Sequence, residues 1–280
     1  MPIYKPSELR EFLESFNIRP KKGLSQNFLI DGNIIRKIAA TAEVTADDVV
    51  LEIGPGPGSL TECLLSTGAS VIAVEKDDTL AKALHRLNNP ENKLTVYSED
   101  ILEFPLEEKL KEHLKPRQKA KVIANLPYHL TTPILIDLVT RHKQISKLVL
   151  MVQDEVARRY VAEPGTSEYG SITVFLNFFS TPKYGFQVSK NCFYPVPGVQ
   201  SAVIILDLKE PPKVADQDNF FEMTRTAFQQ RRKMLRGSLK ELYTAEKISE
   251  ALKALKINPQ ARPEELSLDN FLDLFRMLNE

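Results

Sequence analysis

The chain has 280 residues, of which 42% are hydrophobic and 26% charged, and its formal net charge is zero. These proportions are typical of a globular protein and exclude a low-complexity or polycationic chain. No apolar run reaches the length of a membrane span and the first residues lack a signal-peptide core, so we expect a cytoplasmic protein without a membrane partner. The two cysteines and four histidines lack metal-ligand spacing, and we expect no metal.

Residues 1–30 are interpreted as an N-terminal extension. An amphipathic helical pattern from Leu9 to Phe16 is followed by a basic, irregular stretch that continues to Leu29. Asp31 then occupies the position of an N-cap before a helix with isoleucines on one face.

Apolar strand patterns and helical patterns alternate over the next part of the chain. The predicted strands are residues 49–53, 71–75, 94–97, 121–124 and 148–152. After the fourth strand, Thr132 is the expected N-cap of a helix and Pro133 its first residue. This alternation predicts an α/β fold with a doubly wound, mostly parallel sheet.

The pattern changes after a predicted loop at residues 163–167. A helical segment at 172–179 is followed by two strands, 184–188 and 202–208, with a proline-rich connection and no helix between them. We expect these two strands to form an antiparallel pair at one edge of the sheet. The pattern is helical from Pro211 onward, which predicts an α/β domain over 31–210 and a small all-helical domain over 211–280.

A glycine-rich loop follows the first strand of the sheet, with glycine at positions 54, 56 and 58. Glycine permits sharp turns and lets a ligand approach the backbone. The loop lacks the Lys and Ser/Thr of a phosphate-binding P-loop, and Ser59 stands where a dinucleotide fingerprint requires glycine. Glu75 ends the next strand, where nucleoside-binding folds place a carboxylate on the ribose. The alternative is a tight turn that only packs a helix on a strand.

Polar residues also end later strands, namely Asp100 and the turn formed by Asn125, Leu126, Pro127 and Tyr128. The Asn125 oxygen and the carbonyl of Leu126 or Pro127 can accept both hydrogens of an amine on an aromatic ring. Tyr128 offers a ring on which a base can stack. Accepting both hydrogens favours a pyramidal, nucleophilic nitrogen. Taken alone, this turn also fits an ordinary proline turn.

These motifs together resemble those of class I S-adenosylmethionine-dependent N6-adenine methyltransferases. The matching positions are 52–58 (Glu-Ile-Gly-Pro-Gly-Pro-Gly), Glu75, Asp100 and 125–128 (Asn-Leu-Pro-Tyr). Residues 26–29 resemble the segment that covers the cofactor in ribosomal RNA adenine dimethyltransferases, and 193–197 with Val199, Ser201 and Val203 resemble their substrate-side motif. Residues 227–239 are similar to the start of the C-terminal domain in the bacterial KsgA-type enzymes. From about Lys21 onward, the chain is identified as a member of this family.

The resemblance implies a Rossmann-like methyltransferase domain with a seven-stranded, mostly parallel sheet, a helical C-terminal domain for RNA recognition, and S-adenosylmethionine as cofactor. It assigns the cofactor to Gln26, Asn27, Leu29, Gly54, Gly56, Glu75, Asp100 and Asn125. Within that set, Glu75 would bind the ribose and Asp100 the adenine amino group. The resemblance assigns the target base to Asn125, Leu126, Tyr128 and Phe193, with Phe193 stacking on the opposite face of the base.

The implied substrate is a pair of adjacent adenosines in the 3′-terminal hairpin loop of 16S ribosomal RNA, dimethylated at N6 during small-subunit biogenesis. The sequence does not specify the oligomeric state, and a monomer is the default expectation. The basic residues expected to contact RNA phosphates are Lys21, Lys22, Arg231, Arg232, Lys233 and Arg236. Each basic cluster alone also fits a solvated face. Family members commonly have glycine where this chain has Ser25, and often have Lys and Asp where it has Gly198 and Gln200.

Three other functions fit parts of the pattern. An erythromycin-resistance-type methyltransferase shares the core motifs but acts on 23S ribosomal RNA, whereas the stretch 229–233 (Gln-Gln-Arg-Arg-Lys) favours the small-subunit enzyme. An assembly or transcription factor could keep the fold without catalysis, which the intact 125–128 turn disfavours. A nicotinamide dehydrogenase is disfavoured by Ser59.

Overall fold

The computed structural model describes residues 3–24, 26–91, 93–230 and 233–279, excluding the side chain of Lys22. The helices within these residues are α1 (Pro6–Ser15), α2 (Gly32–Thr41), α3 (Ser59–Leu65), α4 (Asp78–Ala83), α5 (Leu106–His113), α6 (Thr131–Val139), α7 (Asp154–Tyr160), α8 (Ser171–Phe179), α9 (Gln217–Gln229), α10 (Leu235–Ser238), α11 (Ala245–Ala254) and α12 (Leu268–Asn279). The strands are β1 (Phe28–Leu29), β2 (Val49–Ile53), β3 (Ser70–Val74), β4 (Leu94–Tyr97), β5 (Ala120–Asn125), β6 (Ile145–Gln153), β7 (Ser180–Val188), β8 (Phe193–Tyr194) and β9 (Ser201–Leu208). None of the described helices has the length and apolar character needed to cross a bilayer.

The main sheet has the strand order β4-β3-β2-β5-β6-β9-β7. Neighbours from β4 to β6 are parallel, β9 runs antiparallel to β6, and β7 forms the edge beyond β9. All residues of β2 are buried, as expected for a parallel strand covered on both faces. The predicted α/β fold with a seven-stranded, mostly parallel sheet is confirmed over the described residues.

The apolar core packs helices against this sheet. Ile35 of α2 and Leu64 of α3 lie at most 1% exposed in one cluster with Val50, Ile123 and Val149 of the central strands. Complete burial of a side chain such as leucine stabilises the fold by about 1.5 to 3 kcal/mol. The central strands are therefore a rigid base for the loops that follow them.

Strand register brings the predicted site residues to one level of the sheet. Ile53, the last residue of β2, pairs with Val74 of β3 and lies beside Ala124 of β5. Because these strands are parallel, the glycine loop, Glu75 and Asn125 follow at the same edge.

The start of α6 differs from the sequence prediction. The helix begins at Thr131 and not at Pro133, and a 3₁₀ turn over Tyr128–Leu130 leads directly into it. The hydroxyl of Thr131 donates to the Pro127 carbonyl at 3.3 Å, so the chain turns one residue earlier than the expected Thr132 cap. Proline is tolerated here because the first-turn N–H groups of a helix have no intrahelical partner.

The chain divides into two compact units, and the second takes more of the sequence than the predicted helical domain. The first unit extends to Ala157 and includes Lys183–Lys209, whereas the second consists of Arg158–Pro182 and the residues from Glu210 onward. Residues 158–182, expected in the α/β domain, thus belong to the second unit. Aromatic packing is the reason: the ring of Phe178 in α8 lies 5.0 Å from that of Phe221 in α9.

Candidate active site

A cavity of about 190 Å³ opens at the carboxyl edge of the sheet in the first unit. Its lining includes all the residues assigned to the cofactor by resemblance: Gln26, Asn27, Leu29, Gly54, Gly56, Glu75, Asp100 and Asn125. Leu126 and Tyr128, assigned to the target base, line the same cavity. The tertiary structure thus brings together residues that are separated by more than a third of the chain.

The glycine loop forms the floor of this cavity with a backbone that favours glycine. Gly54, Gly56 and Gly58 have φ values of 65°, 58° and 90°. The N–H of Gly54 donates to the Val74 carbonyl at 2.9 Å, which attaches the loop to β3. Ser59, which breaks the dinucleotide fingerprint, donates its hydroxyl to the Ile3 carbonyl and so binds the N-terminal region to the start of α3.

We expect Gly56→Ala to weaken cofactor binding as well as the fold. An added Cβ would lie 3.1 Å from the ring of Phe28, which also lines the cavity. Left-handed strain alone should lower the free energy of unfolding by about 1 to 2 kcal/mol. We expect the Kd for S-adenosylmethionine, measured by calorimetry, to rise about tenfold, equivalent to about 1.4 kcal/mol.

The matched control is Gly165→Ala. Gly165 has a φ of 87°, but an added Cβ would meet nothing within 4 Å. This variant should lose similar stability and keep its cofactor affinity. Equal loss of affinity in both variants would contradict a specific role for Gly56.

The Glu75 carboxylate is held in place by the loop on one side and by its own turn on the other. It accepts hydrogen bonds from the N–H of Gly56 at 3.0 Å and from the N–H of Asp77 at 2.9 Å. Burial raises the pKa of Glu75, while these two bonds act in the opposite direction. Two fixed donors leave the remaining lone pairs of the carboxylate oriented for ligand hydroxyls.

The carboxylate of Asp100 is also held in place, by one backbone N–H and one lysine side chain. Its carboxylate accepts from the N–H of Leu102 at 3.0 Å and pairs with the ammonium of Lys76 at 2.6 Å. The bond from Lys76 lowers the pKa of Asp100, which therefore stays ionised at neutral pH. An ionised carboxylate is a strong acceptor for an amino group.

The segment before β1 is attached to the site through Asp77. Asp77 caps α4 and also accepts from the Gln26 side chain at 3.2 Å. It forms an ion pair with Lys21 at 2.7 Å. The amide of Gln26 and the ammonium of Lys21 thus both bind protein in this structure, although they were assigned to cofactor and RNA respectively.

The Asn125 turn closes the opposite side of the cavity. The side-chain amide of Asn125 donates to the backbone carbonyl of Asn27 at 3.0 Å, which directs its oxygen away from that carbonyl. The carbonyl of Pro127 accepts from the N–H of Leu130 and from the hydroxyl of Thr131. Because the Pro127 carbonyl already accepts two hydrogen bonds, the carbonyl of Leu126 is the stronger candidate for the backbone acceptor of the turn.

The ring of Tyr128 is positioned by a residue from another strand. Its hydroxyl lies 2.9 Å from the hydroxyl of Ser201, the fully buried first residue of β9. Burial raises the pKa of Tyr128, so the phenol remains neutral. Sequence analysis placed Ser201 only in a motif and assigned it no contact.

We expect Ser201→Ala to lower kcat about 3- to 10-fold, the value of one hydrogen bond, without changing the affinity for S-adenosylmethionine. Tyr128→Phe should have the same effect, and the double variant should be no worse than either single variant. Ser180→Ala is the control, because Ser180 is equally buried and its hydroxyl donates to the Leu176 carbonyl within the second unit. Additive effects of Ser201→Ala and Tyr128→Phe would contradict the coupling.

Phe193 does not line the cavity in this structure. It is 1% exposed and belongs to the apolar core cluster. Strand β8 pairs with β1 in an antiparallel ribbon that sets Leu29 opposite Phe193 and Phe28 opposite Tyr194. This pairing joins the predicted cofactor-covering segment to the predicted substrate-side motif, a contact that no local pattern indicates.

The basic residues assigned to RNA have different environments. Arg231, Arg232 and the side chain of Lys22 lie outside the described residues. Lys233 and Arg236 are exposed in the second unit.

Glu52 is a further ionisable residue in the cavity, and sequence analysis gave it no role beyond the motif. It is 1% exposed, and its Oε2 has no hydrogen-bond partner among the residues that the structure describes. Burial, with the nearby charge of Glu75, raises the pKa of Glu52 to about 8. The same lining contains Glu75, Glu99 and Asp100 together with one lysine, Lys76, which pairs with Asp100. The carboxylates outnumber this cation, so the cavity suits a cationic ligand such as a sulfonium.

The parallel sheet, the glycine loop and the acidic strand ends define a class I methyltransferase fold with a nucleoside-binding site. A family model described as ribosomal RNA adenine dimethylase matches residues 17–280. The chain belongs to the ribosomal RNA adenine dimethylase family, and it is an S-adenosylmethionine-dependent methyltransferase.

Individual relatives agree with this assignment over nearly the whole chain. The chain is 61% identical over 278 residues to ribosomal RNA small subunit methyltransferase A of Protochlamydia amoebophila, covering 99% of this chain and 98% of the relative. It is 47% identical over 277 residues to the protein of the same name from Chlamydia caviae, with coverages of 98% and 97%.

Two solved structures are similar in fold and sequence. A dimethyladenosine transferase from Plasmodium falciparum aligns with a TM-score of 0.74 and 26% identity, covering 90% of this chain and 97% of that chain. The 23S rRNA methyltransferase ErmE aligns with a TM-score of 0.69 and 26% identity, covering 91% and 100%.

Proposed function

We propose that the protein transfers methyl groups from S-adenosylmethionine to N6 of two adjacent adenosines in the 3′-terminal hairpin loop of 16S ribosomal RNA, giving N6,N6-dimethyladenosine. The observation that carries this proposal is the 61% identity, over 99% of the chain, to a protein named for the small ribosomal subunit. Identity to the 23S rRNA methyltransferase ErmE is 26%. The small subunit is therefore the favoured substrate.

Different residues of the cavity bind different parts of the cofactor. Glu75 accepts hydrogen bonds from the ribose hydroxyls, and Asp100 accepts a hydrogen bond from the adenine amino group. Gly54 and Gly56 let the cofactor lie against the backbone, while Gln26, Asn27 and Leu29 cover it. When bound, S-adenosylmethionine supplies an activated methyl group on a sulfonium, so the residues need only position the acceptor nitrogen.

Asn125 and Leu126 position that nitrogen. The side-chain oxygen of Asn125 and the carbonyl of Leu126 accept the two N6 hydrogens, which keeps the nitrogen lone pair out of the ring and aimed at the methyl group. Positioning of two reacting groups contributes up to about 7 to 11 kcal/mol in well-oriented cases. The monomethylated product has one N–H, so one acceptor suffices for the second transfer.

The target base must leave its stack to reach the cavity, as for other enzymes that modify a base. Tyr128 stacks on one face of that base. The family resemblance assigns the other face to Phe193, whose side chain is 1% exposed in the apolar core in this structure. Lys22, Arg231, Arg232, Lys233 and Arg236 bind RNA phosphates. Lys21 contributes less because its ammonium pairs with Asp77.

The protein acts as a monomer in the cytoplasm, where small subunits are assembled. It requires no metal, because the sulfonium methyl is already activated for transfer. The location follows from the proposed substrate and the lack of a metal requirement from the proposed reaction, while the monomer is the default state.

The experiment that tests this function is transfer of labelled methyl groups to small and large ribosomal subunits that lack their base methylations. Digestion of the RNA then identifies the labelled nucleoside. We expect N6,N6-dimethyladenosine from the small subunit alone. Label in the large subunit would reassign the substrate to 23S RNA, and absence of label despite measured cofactor binding would indicate a factor that binds without catalysing.

A further inference from the structure

The N-terminal helix α1 packs beside the active-site cavity. Phe12 of α1 belongs to one buried apolar cluster with Phe28 and Leu80, and both of these residues line the cavity. A second contact lies close by, because the hydroxyl of Ser59 at the end of the glycine loop donates to the Ile3 carbonyl. The N-terminal region is therefore packed against the part of the structure that forms the cofactor site.

The side chain of Arg86 connects α1 to the glycine loop. Arg86 lies in the 3₁₀ turn Leu84–Leu87 that follows α4, and its side chain is 22% exposed. Its Cζ lies 5.6 Å from the centroid of the Phe12 ring, and its Nη2 donates to the Pro57 carbonyl at 2.9 Å. Its Nη1 lies 3.7 Å from a carboxylate oxygen of Glu62 in α3. One guanidinium thus contacts α1, the loop and α3.

The Pro57 carbonyl is an attachment point for the second half of the glycine loop. The first half is attached by the N–H of Gly54, which bonds to β3, and by the N–H of Gly56, which bonds to the Glu75 carboxylate. Proline has no N–H, so the carbonyl is the one backbone group of Pro57 that can form a hydrogen bond. Pro57 itself lines the cavity. The bond from Arg86 therefore bears on the shape of the cofactor site.

The ring of Phe12 helps to fix the guanidinium of Arg86 in this position. A cation over an aromatic face is attracted to the ring, and the attraction is stronger where water is excluded. Phe12 is 8% exposed, so water is largely excluded from this contact. A charge that is partly removed from water needs partners, and Arg86 has them in the Phe12 ring, the Pro57 carbonyl and Glu62. The position of Arg86 therefore depends on α1.

We propose that Arg86, oriented by Phe12, is a positioning residue that holds the glycine loop in the shape that receives S-adenosylmethionine. Arg86 is not among the described residues that line the cavity, so it acts through the Pro57 carbonyl. Helix α1 thereby supports the cofactor site, although the family match begins at residue 17, after α1 ends. The inference rests on the cofactor-binding part of the proposed function and is independent of which ribosomal RNA is methylated.

The test measures the Kd for S-adenosylmethionine by calorimetry, without RNA, in Arg86→Met, Phe12→Leu and the double variant. Methionine keeps an apolar stem but removes the donor, so we expect Kd to rise about 3- to 10-fold, the value of one hydrogen bond. Leucine stays apolar but removes the aromatic face, so we expect a rise of about 2- to 5-fold. The double variant should bind no more weakly than Arg86→Met, because Phe12 acts through Arg86. At saturating cofactor, kcat on small subunits should stay that of the unchanged protein.

Phe221→Leu is the matched control, because Phe221 is 6% exposed and its ring packs against Phe178 in the second unit. It should lose similar stability in urea and keep its cofactor affinity. The proposal is overturned by an unchanged Kd in Arg86→Met, by additive effects of Arg86→Met and Phe12→Leu, or by an equal loss of affinity in Phe221→Leu. Failure of the proposed function is distinguishable, since the unchanged protein would then bind no S-adenosylmethionine or would not methylate small subunits.

Discussion

Replacing Asn125 with alanine is expected to lower the rate of methyl transfer about 100- to 1,000-fold, the loss observed when one preorganised group that stabilises a transition state is removed. The substitution removes the oxygen proposed to accept an N6 hydrogen, and no other side chain of the turn replaces it. It also removes the hydrogen bond to the Asn27 carbonyl, which should lower the free energy of unfolding by about 1 kcal/mol. Single-turnover transfer with bound cofactor measures the rate.

Cofactor affinity separates catalysis from binding in this variant. We expect the Kd for S-adenosylmethionine to change only a few-fold, because the other cavity residues remain. Asn177→Ala is the matched control, since the amide of Asn177 donates to the Thr173 carbonyl at 2.9 Å in the second unit. Near-normal turnover in Asn125→Ala would exclude the acceptor role, and equal losses of rate and affinity would make Asn125 mainly a cofactor ligand.

Replacing Glu52 with glutamine is expected to stabilise the protein without cofactor at alkaline pH. Burial raises the pKa of Glu52 from 4.5 to about 8, so the folded state holds its proton more tightly than the unfolded state does. That proton stabilises the fold fully below pH 4.5, and the stabilisation is lost as the pH rises through about 8. The difference between the two pKa values corresponds to a change in the free energy of unfolding of at most roughly 5 kcal/mol.

Glutamine keeps the shape of the side chain and stays neutral at every pH. Urea unfolding between pH 4 and 9 should therefore show nearly equal stabilities at the acidic end. The advantage of Glu52→Gln should grow between the two pKa values, 4.5 and about 8, and then level off. Glu75 contributes a slope of the same sign to both proteins, because burial raises its pKa too. Glu107→Gln is the control, since Glu107 is exposed and paired with Lys111 at 2.7 Å. Parallel pH profiles for the unchanged protein and Glu52→Gln would contradict a protonated Glu52.

The sequence alone predicted the strands, turns and helices that are set by residues close together in the chain. An apolar run such as β2 indicates a strand that is covered on both faces. The glycines that follow it indicate a turn, and in the structure they have positive φ. Parallel strands end at one edge, so Glu75 and Asn125 could be expected near the glycine loop before any coordinates existed. Periodicity also predicted α8, but the sequence placed that helix in the α/β domain, whereas the structure places it in the second unit.

Tertiary structure decided the contacts between residues far apart in the chain. The pairing of β1 with β8, the ion pair of Lys21 with Asp77 and the bond between Tyr128 and Ser201 each join separate segments. None of these contacts leaves a periodic signal, because each depends on how folded elements approach one another. Local sequence patterns and motifs therefore determined the fold, the family and the edge of the sheet that carries the site. Three-dimensional packing decided which donors, acceptors and aromatic rings face the cavity.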